Sequence, residues 1–332
     1  MLEHNYAGSR CLLYRERPLY CSSRRTLVIF VAAFIGCLAA CGGSTKSTVP
    51  GPPPATQHLY TPGATGHAVQ FALPLTGSTP TATLSVATAS DVFAVAVDSA
   101  GNVATGDSSG NITIFNGPIT GSASPSATFK NGTSTSVENL AFNSAGDLFA
   151  SANSTTINVF THPLTSASTP SQVITSVNLT GIAGMVLDSA NNLIVSNSPS
   201  LAGSNLLVFA PPYTGLPIVT PMFPAVLYFQ TAIGGSQLFV VASLPSASSI
   251  HVYNLPLTAA STPAFLIKNG IFGGSISGIG VALDSSGNLY AGLSGNAGPP
   301  DMGQIRIYVP PFSGTSAPVT TSVFGTSLAI GK

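Results

Sequence analysis

The stretch VALDSSGNLYAG, residues 281–292, is an apolar run, a polar turn and a second apolar run. Such a pattern predicts two short antiparallel strands around a tight turn, because Asp accepts backbone amides two residues on and Gly tolerates positive φ. The chain repeats it as VAVDSAGNVATG from Val95, LAFNSAGDLFAS from Leu140, MVLDSANNLIVS from Met185 and, in degraded form, QTAIGGSQLFVVAS from Gln230. The apolar residue after each turn falls at Val103, Leu148, Leu193, Leu238 and Leu289, giving three gaps of 45 residues and one of 51. A period of that size with about four strands per copy predicts propeller blades.

A second marker fixes the register. Each copy continues into an alternating strand that ends in an aromatic, with proline three residues later: Phe115 and Pro118, Phe160 and Pro163, Phe209 and Pro212, Tyr253 and Pro256, Tyr308 and Pro311. A sixth pair, Phe71 and Pro74, precedes them, and HLYTPG (residues 58–63) fits a second strand without a first. The missing strand is found at the other end, where Leu328-Ala329-Ile330 fits the slot of Val95-Ala96-Val97. The expectation is an all-β, six-bladed propeller of four-stranded blades, closed by pairing the C-terminal strand with the N-terminal three. Closure removes the open edge between the two ends. Further prolines (Pro80, Pro125, Pro170, Pro217, Pro263, Pro318) fall at the outermost strands or the loops leading to them. Proline is tolerated there because edge strands need fewer amide donors.

Asp98, Asn143, Asp188 and Asp284 open the repeated turns. A calcium loop needs several converging oxygens, and DSSGN supplies one carboxylate, so these residues are read as turn builders and no metal or other cofactor is assigned.

Charged residues make up only 6% of the chain and the formal net charge is zero, which gives no footprint for nucleic acid. Hydrophobic content of 44% is enough for a core. Five of the ten basic residues (Arg10, Arg15, Arg17, Arg24, Arg25) precede Thr26, and an apolar run follows at 27–40. Basic flank, short apolar core and small residues predict a signal peptide over 1–40. Leu38-Ala39-Ala40-Cys41 resembles the bacterial lipobox, which implies lipidation of Cys41. The other cysteines (Cys11, Cys21, Cys37) lie before that junction, so the mature chain has no disulfide framework. Residues 41–57 are rich in Gly, Ser, Thr and Pro and form a tether, reaching roughly 50 Å at about 3 Å per residue. The propeller then occupies 58–332. The expected localisation is an exported bacterial lipoprotein, anchored in a membrane and facing the periplasm or cell surface.

The repeats resemble NHL repeats through GVALDSSGNLYAG and VAVDSAGNVATGDSSGNITIF, over a region from about His58 to the end. The resemblance implies a monomeric six-bladed interaction platform, whose partner would be an envelope protein or glycan. The same architecture includes gluconolactonase-like hydrolases, which implies as an alternative a divalent metal in the central channel. With three carboxylates in the repeated turns and Asp147 beside another, the remaining acids are Asp91, Asp107, Glu138 and Asp301. Their positions place them toward one face, where Asn139, Tyr228 and Gln230 join them as candidates for a rim or pocket. No nucleophile elbow or short-spaced histidine pair is present, and no catalytic residue is assigned.

Overall fold

The computed structural model describes residues 56–332 except 64–65, 87–89, 201–202, 244–247, 269–279 and 293–303, together with Asn5–Tyr6 and Ser9–Arg10. The chain divides into two units, Met1–Pro54 and Ala55–Lys332. In the first, Asn5–Tyr6 pairs antiparallel with Ser9–Arg10. Cys41, the rest of the leader and most of the tether lie outside the described residues. Among the described residues no helix is long and apolar enough to cross a membrane.

The second unit is a six-bladed propeller, one sheet per blade. Blade two runs outward from Val92–Val97 through Val103–Asp107 and Asn111–Phe115 to Ala127–Lys130. Blades three to six repeat this order, with inner strands Leu140–Phe142, Ile182–Leu187, Leu227–Gly234 and Gly280–Leu283. Blade one takes its inner strand from the C-terminus. Ala329–Gly331 pairs with His58–Pro62 in the register Ala329↔Tyr60, Ile330↔Leu59 and Gly331↔His58, and His67–Ala72 and Ala82–Ser85 complete the blade outward.

Six apolar clusters hold the ring, each shared by two neighbouring blades. The repeated aromatics are their pivots. Phe115 of blade two packs with Tyr60 and Leu84 of blade one, and Phe160 of blade three packs with Ile112 and Phe129 of blade two. Burying each such ring contributes roughly 1.5–3 kcal/mol. The strands between inner and outer edges are covered on both faces, so Val103–Asp107 and Asn111–Phe115 are buried throughout. The proline three residues beyond each aromatic follows a cis peptide bond in all six blades.

Pro80, Pro125, Pro170, Pro217, Pro263 and Pro318 each stand one or two residues before an outermost strand. One outer edge is covered in a way the repeats do not announce. Gly121–Ala123, from the linker after blade two's third strand, pairs in parallel with Ala82–Ser85 and gives blade one a fifth strand. Gln57, assigned by composition to the tether, is already part of the propeller. Its carbonyl accepts from Leu73 N at 3.0 Å, and its side-chain oxygen accepts from the Ser285 amide and hydroxyl, both at 2.7 Å.

Candidate functional site at the mouth of the ring

Inner strands start on one face of the ring and end in the repeated turns on the other. On the turn face the carboxylates are consumed by structure. Asp98 Oδ1 accepts from Ala100 N (2.9 Å) and Asn102 N (2.8 Å), while Oδ2 accepts from Asn102 Nδ2 (2.8 Å). Asp188 and Asp284 repeat this arrangement with Asn192 and Asn288. Blade three swaps the residue types, so that Asn143 Nδ2 donates to Asp147 Oδ2 at 2.9 Å. All four residues, Asp98, Asn143, Asp188 and Asp284, stand in the turn between a blade's first two strands.

The opposite face carries the mouth, a cavity of about 350 Å³. It is lined by paired positions at the start of the inner strands: Val92 and Phe93, Glu138 and Asn139, Ile182 and Ala183, Phe229 and Gln230, then Thr326 and Ser327 from the segment that closes the ring. Two inner-strand glycines let the strands crowd together here. A Cβ at Gly184 would meet Phe229 O at 2.6 Å, and one at Gly280 would meet Leu328 N at 2.6 Å and Gln230 Oε1 at 2.9 Å. That approach lets Gln230 Nε2 donate to Ser327 Oγ at 2.7 Å, tying blade five to the C-terminal closing segment. Asn139 is only 5% exposed. Its backbone bonds to Ser151, whereas its side chain lines the cavity.

Of the sequence candidates, Glu138, Asn139 and Gln230 meet at the mouth. Asp91 is exposed just before Val92, with its backbone bonded to Ser108. Asp107 is corrected: it is 2% exposed and closes the next turn of blade two, accepting from Ser109 N, Asn111 N and Asn111 Nδ2 at 2.8–2.9 Å. Tyr228 is corrected as well. It is fully buried between blades four and five, where its hydroxyl bonds to Tyr253 OH at 2.6 Å and His251 Nδ1 at 3.1 Å. Burial lowers His251 to about 4, with Lys268 adding to the shift, and burial raises Tyr253 to about 12. Asp301 lies outside the described residues. Among those described, no three His, Cys, Asp or Glu side chains come together to hold a metal.

Phe93, Thr326 and Ser327 escaped the sequence reading. They occupy the same two slots as Glu138 and Asn139, immediately before the inner strand's apolar core. Comparing those slots across copies is the signal that finds them.

Fold and mouth together define a six-bladed β-propeller with an axial pocket. The structure is similar to that of a Bacteroides caccae protein of unknown function, with TM-score 0.55, 10% identity, and 84% of this chain and 100% of that one covered. It is also similar to a Bacteroides uniformis protein described as a "putative 6-phosphogluconolactonase", with TM-score 0.55, 13% identity, and 79% of this chain and 81% of that one covered. At such identity the likeness is one of fold. No protein-family model matches the chain, and no curated protein does.

Proposed function

We propose that this chain is an exported lipoprotein, anchored through Cys41 and the tether, whose NHL-like propeller is a binding platform for an envelope component. The mouth is the binding surface. The observation that carries this reading is the contrast between the faces. Turn-face carboxylates are saturated by backbone amides, whereas at the mouth Glu138 is exposed, with only a long 3.4 Å contact from Ser136 Oγ, and the Asn139 side chain lines the cavity. A metal-dependent lactonase is the second reading, favoured by the likeness in fold to the Bacteroides uniformis protein.

One thermal-unfolding series separates the two. The protein is scanned in EDTA, then with calcium, magnesium, manganese or zinc, and then with solubilised envelope glycan. Binding only to the folded state stabilises by about 2.7 kcal/mol at a hundredfold excess over Kd. A rise with glycan and none with metals supports the platform. A rise specific to one metal, abolished by Glu138→Gln, supports the hydrolase and overturns the platform.

A further inference from the structure

The mouth is uneven in charge as well as in hydrogen bonding. Its one ionisable lining residue is the exposed Glu138, and no Lys, Arg or His borders it among the described residues. Between 58 and 332 the chain has eight acids (Asp91, Asp98, Asp107, Glu138, Asp147, Asp188, Asp284, Asp301) against four cations (Lys130, Lys268, Arg306, Lys332), a formal −4. The propeller segments the structure leaves undescribed contain no Lys, Arg or His, so they add no cation. Lys130 donates to Ser109 O at 2.8 Å, and Lys268 lies near His251.

The polar lining joins one acceptor-only carboxylate to amide and hydroxyl groups that both donate and accept. Glu138 contributes a carboxylate with one long 3.4 Å contact from Ser136 Oγ, Asn139 contributes an amide on the wall, and Gln230 Oε1 has only a long 3.4 Å contact with Leu328 N. Phe93, 42% exposed on the wall, offers an aromatic face to a cation or to the C–H face of a ring. At about 350 Å³ the cavity is at the small end of the roughly 300–1,000 Å³ range of ligand pockets.

We infer that the mouth takes a small, hydroxyl-rich molecule carrying a protonated amine, such as an amino sugar, and rejects phosphorylated sugars. The inference rests on the platform reading and gives its ligand a chemical class. The amine lies against Glu138 and the Phe93 face, and the hydroxyls pair with Asn139 and Gln230. A phosphate there meets a carboxylate and no cation.

Isothermal titration of the full chain in detergent, at low ionic strength, tests this with glucosamine, glucose and glucose 6-phosphate. Glucosamine is expected to bind about tenfold or more tightly than glucose, as a charge-assisted contact implies, with no heat from glucose 6-phosphate. Glu138→Gln is expected to erase the advantage of glucosamine without moving the melting temperature. Phe93→Ala should weaken both neutral and amino sugar. Glucose 6-phosphate binding as tightly as glucosamine, or an unchanged glucosamine-to-glucose ratio in Glu138→Gln, overturns the charge assignment. No binding of any sugar, with an envelope protein still captured by the propeller, overturns this inference and leaves the platform standing.

Discussion

Blade two and blade five occupy equivalent places in the ring but are held by different means. In blade two, Asp98 gathers Ala100, Asn102 and the Asn102 side chain, and Asp107 gathers Ser109, Asn111 and the Asn111 side chain one turn later. In blade five the first turn is Gly235 and Ser236, closed by the pair Gly234↔Gln237, with no carboxylate. A glycine at φ 59° supplies the bend instead. Blade five compensates with length. Its first three strands have 8, 7 and 7 residues, against 6, 5 and 5 in blade two. It also buries a Tyr228–Tyr253–His251 cluster where blade two buries Val92, Phe115 and Thr113. The Asp-Asn turn is thus one of two ways to close a blade, and the blade without it leans on a buried ionisable ring.

That difference can be broken from its most sensitive side first. His251 is near 4 in the folded chain and near 6.5 when unfolded, so the unfolded chain takes up the proton first as pH falls. The stability this residue contributes is complete above about pH 6.5 and lost by about pH 4, roughly 3 kcal/mol in all. Urea unfolding at neutral pH and near pH 4 measures the loss, and His251→Phe should flatten it. An equal pH dependence in the variant sinks the assignment. On the blade-two side, Asp107→Ala strands two buried Asn111 donors together with the amide of exposed Ser109 and should cost about 2 kcal/mol, with Asp107→Asn costing less because it keeps one acceptor. A loss below that of an exposed-site control would show that the second turn is not held by its carboxylate. Asp98→Ala, at a half-exposed turn where water can replace the lost bonds, should cost about 1 kcal/mol. An effect as large as that of Asp107→Ala would erase the distinction between buried and surface turns.

The fold was legible because its signals are core and turn residues that every blade needs. Phe115, Phe160, Phe209, Tyr253 and Tyr308 mark blade boundaries, and the incomplete first copy pointed to Ala329 and Ile330 as its missing strand. Blade five was misaligned locally. Its shorter turn and a bulge between Tyr228 and Thr231 put Gln230 in the slot of Ala94, one earlier than the repeat pattern suggests. Asp107 was assigned to the rim although DSSGN at 107–111 is letter for letter the pentad at 284–288, and the pentad makes the same turn in both places. Part of the mouth was readable because Glu138, Asn139 and Gln230 are polar residues at the start of apolar strands. Phe93 and Ser327 were not, since Phe looks like core and Ser is everywhere in this chain. The fifth strand of blade one left no trace because an added edge strand pairs through backbone alone.

The shared first blade sets the order in which the molecule can be finished. Tyr60 and Ala329, partners in that blade, are about 270 residues apart in the chain, so their pairing closes the longest loop in the fold. Blades two to six each draw all four strands from one continuous segment and can assemble as the chain emerges, whereas the ring waits for its last few residues. Until then Leu59 and Tyr60, fully buried in the finished protein, lack the inner strand that covers them. High contact order concentrated in one joint makes that final docking the slow step of folding. The propeller is thereby kept from locking shut before residues 329–331 have been made.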